Sequence, residues 1–178
     1  VTNPNTQVAG NVNNLQNTGY TFAGWNTQAN GTGITYNEND DIELSSDVVL
    51  FAQWTPATDT QYTVKYWFQN VGDDEYSQDL DNHPDEIKTG TTNEQTAAVA
   101  AEVEGFVAQE ITQKTISADG STVVDVYYNR AVYSIVYKIT GAYFANDNYE
   151  QIDDVRYGAP LTLIQDDMTK QGYTWSGW

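Results

Sequence analysis

The residues that could do chemistry in this sequence are carboxylates, one histidine and a few indole rings. The acidic side chains form groups at Asp73-Asp74-Glu75, at Asp79, Asp81 and Asp85, at Asp153-Asp154 and at Asp166-Asp167. Hard oxygen donors of this kind could bind Ca²⁺, but the loop order of an EF-hand, with its Gly and terminal Glu, is absent. We therefore interpret these groups as solvated charge and expect no bound metal.

Catalysis by the remaining groups is not favoured. A hydrolytic triad needs a His as base, and the only one, His83, lies in an acidic connection that contains Pro84. Glycosidases need two carboxylates across a sugar, and nothing singles out a pair among 25 acidic residues. We expect no enzyme, no catalytic residue and no cofactor. An isopeptide crosslink between Lys65 and Asn129 is an open alternative that would require burial beside a carboxyl group.

Composition excludes several partners. The chain has 178 residues, and its 25 acidic against 7 basic residues give a formal net charge of -18. The basic residues are scattered singly, so we expect no nucleic acid binding and no membrane contact by this segment. The absence of Cys removes disulfides and thiolate sites and leans weakly towards an exported protein. Aromatic residues make up 13%, which argues against disorder.

Internal repeats are the strongest signal. The segment 19–25, GYTFAGW, returns as GYTWSGW at 172–178, and Tyr62-Thr63-Val64-Lys65-Tyr66 returns as Tyr133-Ser134-Ile135-Val136-Tyr137. A Val-Val-rich closing segment at 48–54 has a counterpart at 123–129. The three landmarks recur in one cyclic order and predict three modules: the C-terminal part of a repeat at 1–56, a complete module at 62–130 and the N-terminal part of a further repeat at 133–178.

The middle module predicts a mixed architecture. Apolar residues alternate over 62–69, which is typical of an amphipathic strand. Thr92 and Gln95 have capping-box spacing, and the alanines that follow predict a short helix over about 93–101. Asn30-Gly31 and Asp119-Gly120 are interpreted as turns, and Pro56 should end strand pairing. We therefore expect an α+β fold of small modules, rich in β-strands, with one short helix per module.

A set of aromatic and β-branched residues at the repeat landmarks is predicted to form the module cores and joints rather than a carbohydrate-stacking platform. The predicted structural core is Tyr20, Phe22, Trp25, Trp54, Tyr62, Val64, Tyr66, Phe106, Val126, Tyr128, Tyr133 and Trp178.

The same landmarks carry a family resemblance. Residues 19–25, then 30–33 (NGTG) and 49–55 (VLFAQWT), resemble the Listeria/Bacteroides repeat, the internalin-type B repeat of bacterial surface proteins. Residues 62–130, with YTVKY at 62–66 and VYY at 126–128, resemble the mucin-binding-protein-like (MucBP) repeats. The resemblance implies tandem β-grasp-like (ubiquitin-like) modules in secreted or wall-anchored stalks and adhesins, and it brings no catalytic residue with it.

Two functions follow as expectations. The first is a non-catalytic stalk or spacer in an adhesin at the bacterial cell surface, whose partners are neighbouring modules of the same parent chain. The alternative is a module that itself binds a host or matrix glycan or protein through exposed aromatic residues. Head-to-tail self-association is a further expectation, because each outer module would leave a sheet edge without its strand.

Overall fold

The computed structural model describes residues 6–137, 143–144, 151–163, 168–169, 171–174 and 176–177. This part of the chain contains fourteen strands and no helix. The strands are β1 (Thr6–Gln7), β2 (Tyr20–Asn26), β3 (Thr35–Tyr36), β4 (Asp41–Ile42), β5 (Phe51–Pro56), β6 (Thr60–Gln69), β7 (Tyr76–Ser77), β8 (Glu86–Gly90), β9 (Phe106–Ala108), β10 (Val123–Arg130), β11 (Val132–Val136), β12 (Tyr143–Phe144), β13 (Gln151–Arg156) and β14 (Met168–Thr169). The prediction of an α+β fold of β-grasp-like modules with one short helix each is therefore wrong, since the described fold is all-β.

The strands form several small sheets. One has three strands in the order β3-β2-β5, and another has five in the order β7-β6-β10-β9, with β8 also paired to β6. Three two-stranded sheets pair β1 with β4, β11 with β13 and β12 with β14. The repeated landmarks take equivalent places, because the Gly-aromatic strand pairs antiparallel with the closing strand in both β2–β5 and β9–β10.

The short helix predicted over 93–101 is replaced by an extended segment. Its backbone bonds go across to a second segment instead of along a helix: Asn93 N–H donates to Ile116 O at 2.9 Å, and Thr96 N–H to Lys114 O at 2.8 Å. An antiparallel bridge joins Gln95 to Thr115. The helix propensity of the alanines is thus overridden by tertiary hydrogen bonds.

The predicted capping box is also absent, for a local reason. Asn93 has a φ of 69°, which is incompatible with a right-handed helix at that position. The Thr92 hydroxyl is buried against the Thr60 hydroxyl at 2.7 Å, and the Gln95 amide donates to Thr115 Oγ1 at 2.9 Å. Both side chains that would have capped a helix therefore serve other contacts.

A β-bulge in β2 decides where its aromatic rings lie. The register with β5 shifts between Phe22 and Gly24, and Gly24 has a φ of 114°. The bulge returns Trp25 to the face of Phe22, whose ring makes edge contacts with Trp25 at 5.3 Å and Trp54 at 5.7 Å. Simple alternation would have placed Trp25 on the opposite face.

The predicted turn at Asn30-Gly31 is confirmed, and a buried amide supports it. Gly31 N–H donates to Gln28 O at 3.0 Å. Asn26 is 1% exposed; its Nδ2 donates to Thr35 Oγ1 at 3.0 Å, and its Oδ1 accepts from Gly33 N–H at 3.0 Å. This side chain therefore holds the loop between β2 and β3 closed.

The predicted amphipathic strand at 62–69 is confirmed as β6. Tyr62, Val64 and Phe68 are buried on one face, while Lys65 and Trp67 on the other face are half-buried. The alternation along β6 therefore places the apolar side chains where the pattern predicts them.

The chain forms two compact units. The first comprises Val1–Lys65, Asp85–Val99 and Thr112–Asp125, and the second comprises Tyr66–Pro84, Ala100–Ile111 and Val126–Trp178. Val64, Val124 and Ile116 are buried in the first unit, and Phe68, Val126 and Tyr128 in the second. The three predicted modules, 1–56, 62–130 and 133–178, stay a prediction about the boundaries of the repeats.

Candidate functional site: two joints and an aromatic face

The connection after β5 is held by two backbone hydrogen bonds, and we call it the first joint. Ala57 N–H donates to Gly19 O at 2.9 Å, and Ala57 O accepts from Thr92 N–H at 2.9 Å. Gly19 precedes β2, whereas Thr92 lies in the predicted middle module, so Ala57 links two distant parts of the chain through its own peptide groups.

Glycine is required at this joint. Gly19 has a φ of 74°, and a Cβ atom there would lie 2.5 Å from Ala118 O. Because the obstacle is backbone, the contact could not relax without opening the joint. Beside it, Asn93 Nδ2 donates to Tyr20 Oη at 2.8 Å.

The connection after β10 repeats this pattern in the second unit, and we call it the second joint. Ala131 N–H donates to Gly105 O at 2.8 Å, and Ala131 O accepts from Tyr157 N–H at 2.8 Å. Gly105 has a φ of 77°, and a Cβ atom there would overlap the Tyr157 ring. Gly105 and Ala131 therefore take the roles of Gly19 and Ala57.

Arg130 ties the second joint together. Its Nε donates to Gln69 O at 2.7 Å and its Nη1 to Tyr157 O at 2.9 Å. Its guanidinium lies 4.9 Å from the centre of the Phe106 ring, which makes an edge contact with Tyr157 at 6.1 Å. The planar fork of arginine suits this combination of two acceptors and one ring.

An open groove of about 860 Å³ lies next to the second joint. Arg156 lines it and donates to the Asp74 carboxylate and to Asp73 O. Apolar residues such as Val155 and Pro160 line the groove together with Asp154 and Thr162, so its wall is mixed.

Five uncharged side chains form what we call the aromatic face of the second unit. These are Trp67 of β6, Tyr76 of β7, Tyr127 and Asn129 of β10, and Gln109, which follows β9. Tyr127 stacks on Trp67 at 6.2 Å, with 19° between the ring planes, and meets Tyr76 edge-on at 5.1 Å.

A hydrogen-bond network closes one end of the aromatic face. Tyr76 Oη donates to Asn129 Oδ1 at 2.5 Å. Gln109 Nε2 donates to Tyr76 Oη and to Asn129 Oδ1, both at 2.7 Å. Gln109 is held in turn by its backbone N–H, which donates to Tyr127 O at 2.8 Å. Rings and amides therefore form one connected surface.

Comparison with known families assigns both ends of the chain. The model of the Listeria-Bacteroides repeat domain matches residues 1–53 and 133–178, which together make up more than half of the sequence. The chain belongs to the Listeria-Bacteroides repeat domain family. Such repeats are typical of bacterial surface proteins. The match excludes residues 54–132, where the resemblance to MucBP repeats finds no support.

One similar protein is a "Putative Gly-rich membrane protein" from Evansella cellulosilytica. It is 40% identical over 47 residues, which cover 24% of this chain and 5% of the relative. The matched stretch of this repeat-domain chain thus corresponds to a small part of that protein. No solved structure matches the chain. In the residues that the structure describes, no helix is long and apolar enough to cross a membrane.

The predicted core residues of this repeat-domain chain differ in burial. Tyr62, Val64, Val126 and Tyr128 are at most 3% exposed. The half-buried ones are Tyr20, Phe22, Trp25, Trp54, Tyr66 and Phe106. Tyr133 lies on β11 and is 55% exposed, and Trp178 lies outside the described residues.

Some of the acidic residues serve turns and ion pairs. Asp73 Oδ1 accepts from Glu75 N–H at 2.9 Å, and Asp85 pairs with Lys65 at 3.5 Å. No group of three or more His, Cys, Asp or Glu residues arranged to hold a metal occurs in the described part of the chain. Asp166 and Asp167 lie outside it.

The two residues weighed for an isopeptide crosslink and the single histidine have other contacts. Lys65 is partly exposed in its pair with Asp85, and Asn129 belongs to the aromatic face. The His83 ring is half-buried and packs on Phe68 at 4.6 Å. His83 therefore contacts the edge of the core in the second unit, although it lies in the acidic connection that contains Pro84.

Among the described residues, Asp79, Asp119 and Tyr128 have shifted pKa values with simple causes. A hydrogen bond from the Asn82 side chain holds the pKa of Asp79 below its ordinary value, and one from Ser121 does the same for Asp119. Burial raises the pKa of Tyr128 above its ordinary value of 10.0. The two carboxyls lie in exposed turns, so their shifts reflect turn structure.

The sequence indicates where the two joints lie, but it does not predict the hydrogen bonds that form them or the aromatic network. Their only sequence signals are the short links at 55–60 and 129–131 and the recurring Gly-aromatic pair. Neither signal reveals which backbone groups meet, because the partners Thr92 and Tyr157 come from unrelated positions in the two repeats.

Proposed function

We propose that this chain is a non-catalytic repeat region of an extracellular bacterial surface protein and acts as a stalk or spacer in an adhesin. The observation that carries the proposal is the recurrence of one joint: Ala57 and Ala131 each donate to the carbonyl of a left-handed glycine and accept from the next repeat.

Both joints restrict movement between adjacent repeats. Only residues 57–59 separate β5 from β6, and only Ala131 separates β10 from β11. Short links that are hydrogen-bonded on both sides leave fewer backbone conformations than a flexible linker of glycine and serine. A spacer needs this property, because it must hold a terminal binding domain at a distance.

Charge supports the same role. The formal net charge of -18 favours solubility and keeps neighbouring chains apart through repulsion. Asp79 and Asp119 accept hydrogen bonds in exposed turns, and Asp85 and Asp125 pair with lysines, which supports a non-catalytic role. These properties suit a crowded extracellular surface.

Distance measurements between two spin labels would test the stalk proposal. The sequence contains no Cys, so cysteines can be introduced at the exposed positions Ser45 and Thr112, one in each of two adjacent repeats. We expect a narrow distribution of distances that broadens when a Gly-Ser-Gly-Ser segment is inserted after Ala57. Equal widths with and without the insertion would contradict a fixed joint.

A second candidate function is direct binding by the module. The aromatic face supports it, because Tyr127 is 37% exposed and lies between two other rings in a cluster with exposed amides. Aromatic residues that remain partly exposed in such a cluster are enriched at recognition surfaces.

A further inference from the structure

We propose that the aromatic face binds a neutral carbohydrate, a chain of pyranose rings with equatorial vicinal hydroxyl groups. The proposal rests on the second candidate function and is independent of the stalk role, because the aromatic face shares none of its five residues with either joint.

The rings supply the apolar half of such a site. Trp67, Tyr127 and Tyr76 follow one another with ring centres 6.2 and 5.1 Å apart. Trp67 and Tyr76 are half-buried, so each is anchored in the sheet and still reaches solvent. Sites for small ligands combine aromatic walls of this kind with a few fixed polar groups, and pyranose rings with equatorial hydroxyls have apolar C–H faces.

The amides supply the polar half. Asn129 Oδ1 accepts from both Tyr76 Oη and Gln109 Nε2, which fixes the orientation of both amide groups. Among the described residues, Asn129 Nδ2 and Gln109 Oε1 have no hydrogen-bond partner of their own. One donor and one acceptor therefore stay available beside the rings. Hydroxyl groups both donate and accept, so two adjacent sugar hydroxyls satisfy this pair.

The site is organised before a ligand binds. Gln109 is fixed by its backbone bond to Tyr127 O at 2.8 Å, and Asn129 lies opposite Val107 in the antiparallel pairing of β10 with β9. Binding would order few side chains, which lowers the entropic penalty of forming the complex.

Charge and size favour a neutral sugar over other ligands. None of the five residues is charged, and the net charge of -18 opposes sialylated or sulfated glycans. A protein partner is less well suited, because stable protein interfaces bury about 800 Å² on each side, far more than five side chains offer.

The test follows side-chain amide signals by NMR during titration of the whole chain with cellohexaose to about 10 mM, enough to nearly saturate a site with a dissociation constant of about 1 mM. We expect the signals of Asn129 Nδ2, Gln109 Nε2 and the Trp67 indole N–H to shift together. Hexagalacturonic acid, which carries carboxylates on a related ring, should shift them far less.

Three variants assign the shifts to the aromatic face. Asn129→Asp keeps an acceptor for the network but replaces the proposed ligand donor with a charged oxygen, and Tyr127→Ala removes the central ring; each should weaken binding about tenfold or more. Tyr133→Ala is the matched control, since it removes an exposed tyrosine elsewhere in the same unit.

Two results would overturn the proposal. One is the absence of shifts in these NMR signals when cellohexaose is added. The same holds if a protein ligand shifts the signals and cellohexaose does not. The other is an unchanged affinity in both Asn129→Asp and Tyr127→Ala with their thermal unfolding intact. Neither result would affect the spin-label distances that test the stalk.

Discussion

Ala57 and Ala131 make the same pair of backbone hydrogen bonds, each donating its N–H to a glycine carbonyl and accepting at its own carbonyl from an N–H further along the chain. The glycines, Gly19 and Gly105, both have a φ between 70° and 80°. Both joints therefore use the carbonyl of a left-handed glycine as acceptor. The residue that donates its N–H to the alanine carbonyl differs, since it is Thr92 in the first joint and Tyr157 in the second.

This equivalence shows that the joint depends on backbone shape more than on side-chain identity. Any residue except proline can donate a backbone N–H, and every residue has a carbonyl that can accept. The repeats can therefore diverge in sequence while keeping the joint. The glycine is the part that cannot vary, because it combines a left-handed conformation with a close approach.

Replacing the glycine should therefore open the first joint. Gly19→Ala adds left-handed strain and a clash with the Ala118 backbone, and we expect a loss of about 3 kcal/mol in the free energy of unfolding. Gly120→Ala is the control, because Gly120 has a φ of 75° but its Cβ would lie 3.6 Å from Gln61 O, an ordinary contact. The control should lose only about 1 kcal/mol in urea unfolding. Equal losses would show that the joint contact is unimportant.

Arg130 should contribute more to the free energy of unfolding than Arg156. Arg130→Lys keeps the charge but cannot hold Gln69 O, Tyr157 O and the Phe106 face together, so we expect a loss of about 1 to 2 kcal/mol. Arg156→Lys should lose less than about 1 kcal/mol, because the Asp74 side chain in its ion pair is 85% exposed. Urea unfolding of both variants measures the difference, and the reverse order would argue against the role of Arg130 in the second joint.

Tyr128 should make the chain sensitive to alkali. Burial raises its pKa above 10.0, so the folded state holds the phenol proton more tightly than the unfolded state. Its stabilising contribution is complete below the unfolded pKa and is lost as the pH rises through the folded pKa. The free energy of unfolding, measured from pH 8 to pH 11, should fall more steeply in the native chain than in Tyr128→Phe.

The same variant has a second expected effect at neutral pH. Tyr128 Oη donates to Ala101 O at 3.0 Å, so Tyr128→Phe should lose about 1 kcal/mol there. Parallel pH profiles for the two proteins would show that Tyr128 does not titrate differently in the folded state.

Sequence patterns predicted the strands well where one face is buried. The alternation of Tyr62, Val64 and Phe68 identified β6, because period-two burial leaves a direct trace in residue order. The turn at Asp119-Gly120 is also confirmed, with Gly120 N–H donating to Ser117 O at 3.0 Å. These features depend only on near neighbours in the chain.

The features that sequence did not predict depend on distant partners. The bulge at Phe22–Gly24 sets the face of Trp25, and the joints place Gly19 against Ala118. Neither leaves a periodic signal. The helix prediction failed for the same reason, since the alanine-rich segment has its hydrogen-bond partners about twenty residues away in the chain.

The extended segment over 93–101 can be tested against a helix with two glutamine variants. The extended segment and a capped helix predict opposite orders for the stability lost in Gln113→Ala and in Gln95→Ala. Gln113 Oε1 accepts from Ala98 N–H at 3.0 Å, and Gln113 Nε2 donates to Ala98 O at 2.8 Å; Ala98 is 3% exposed. Gln113→Ala would leave both buried groups unpaired and should lose about 2 to 3 kcal/mol. Gln95→Ala removes one exposed hydrogen bond to Thr115 and should lose less than about 1 kcal/mol in urea unfolding.

A capped helix over 93–101 requires the opposite order, since Gln95 would then complete the capping box and Gln113 would lie outside the helix. Loss of hydrogen-exchange protection at the Ala98 amide in Gln113→Ala alone would locate the effect in this segment.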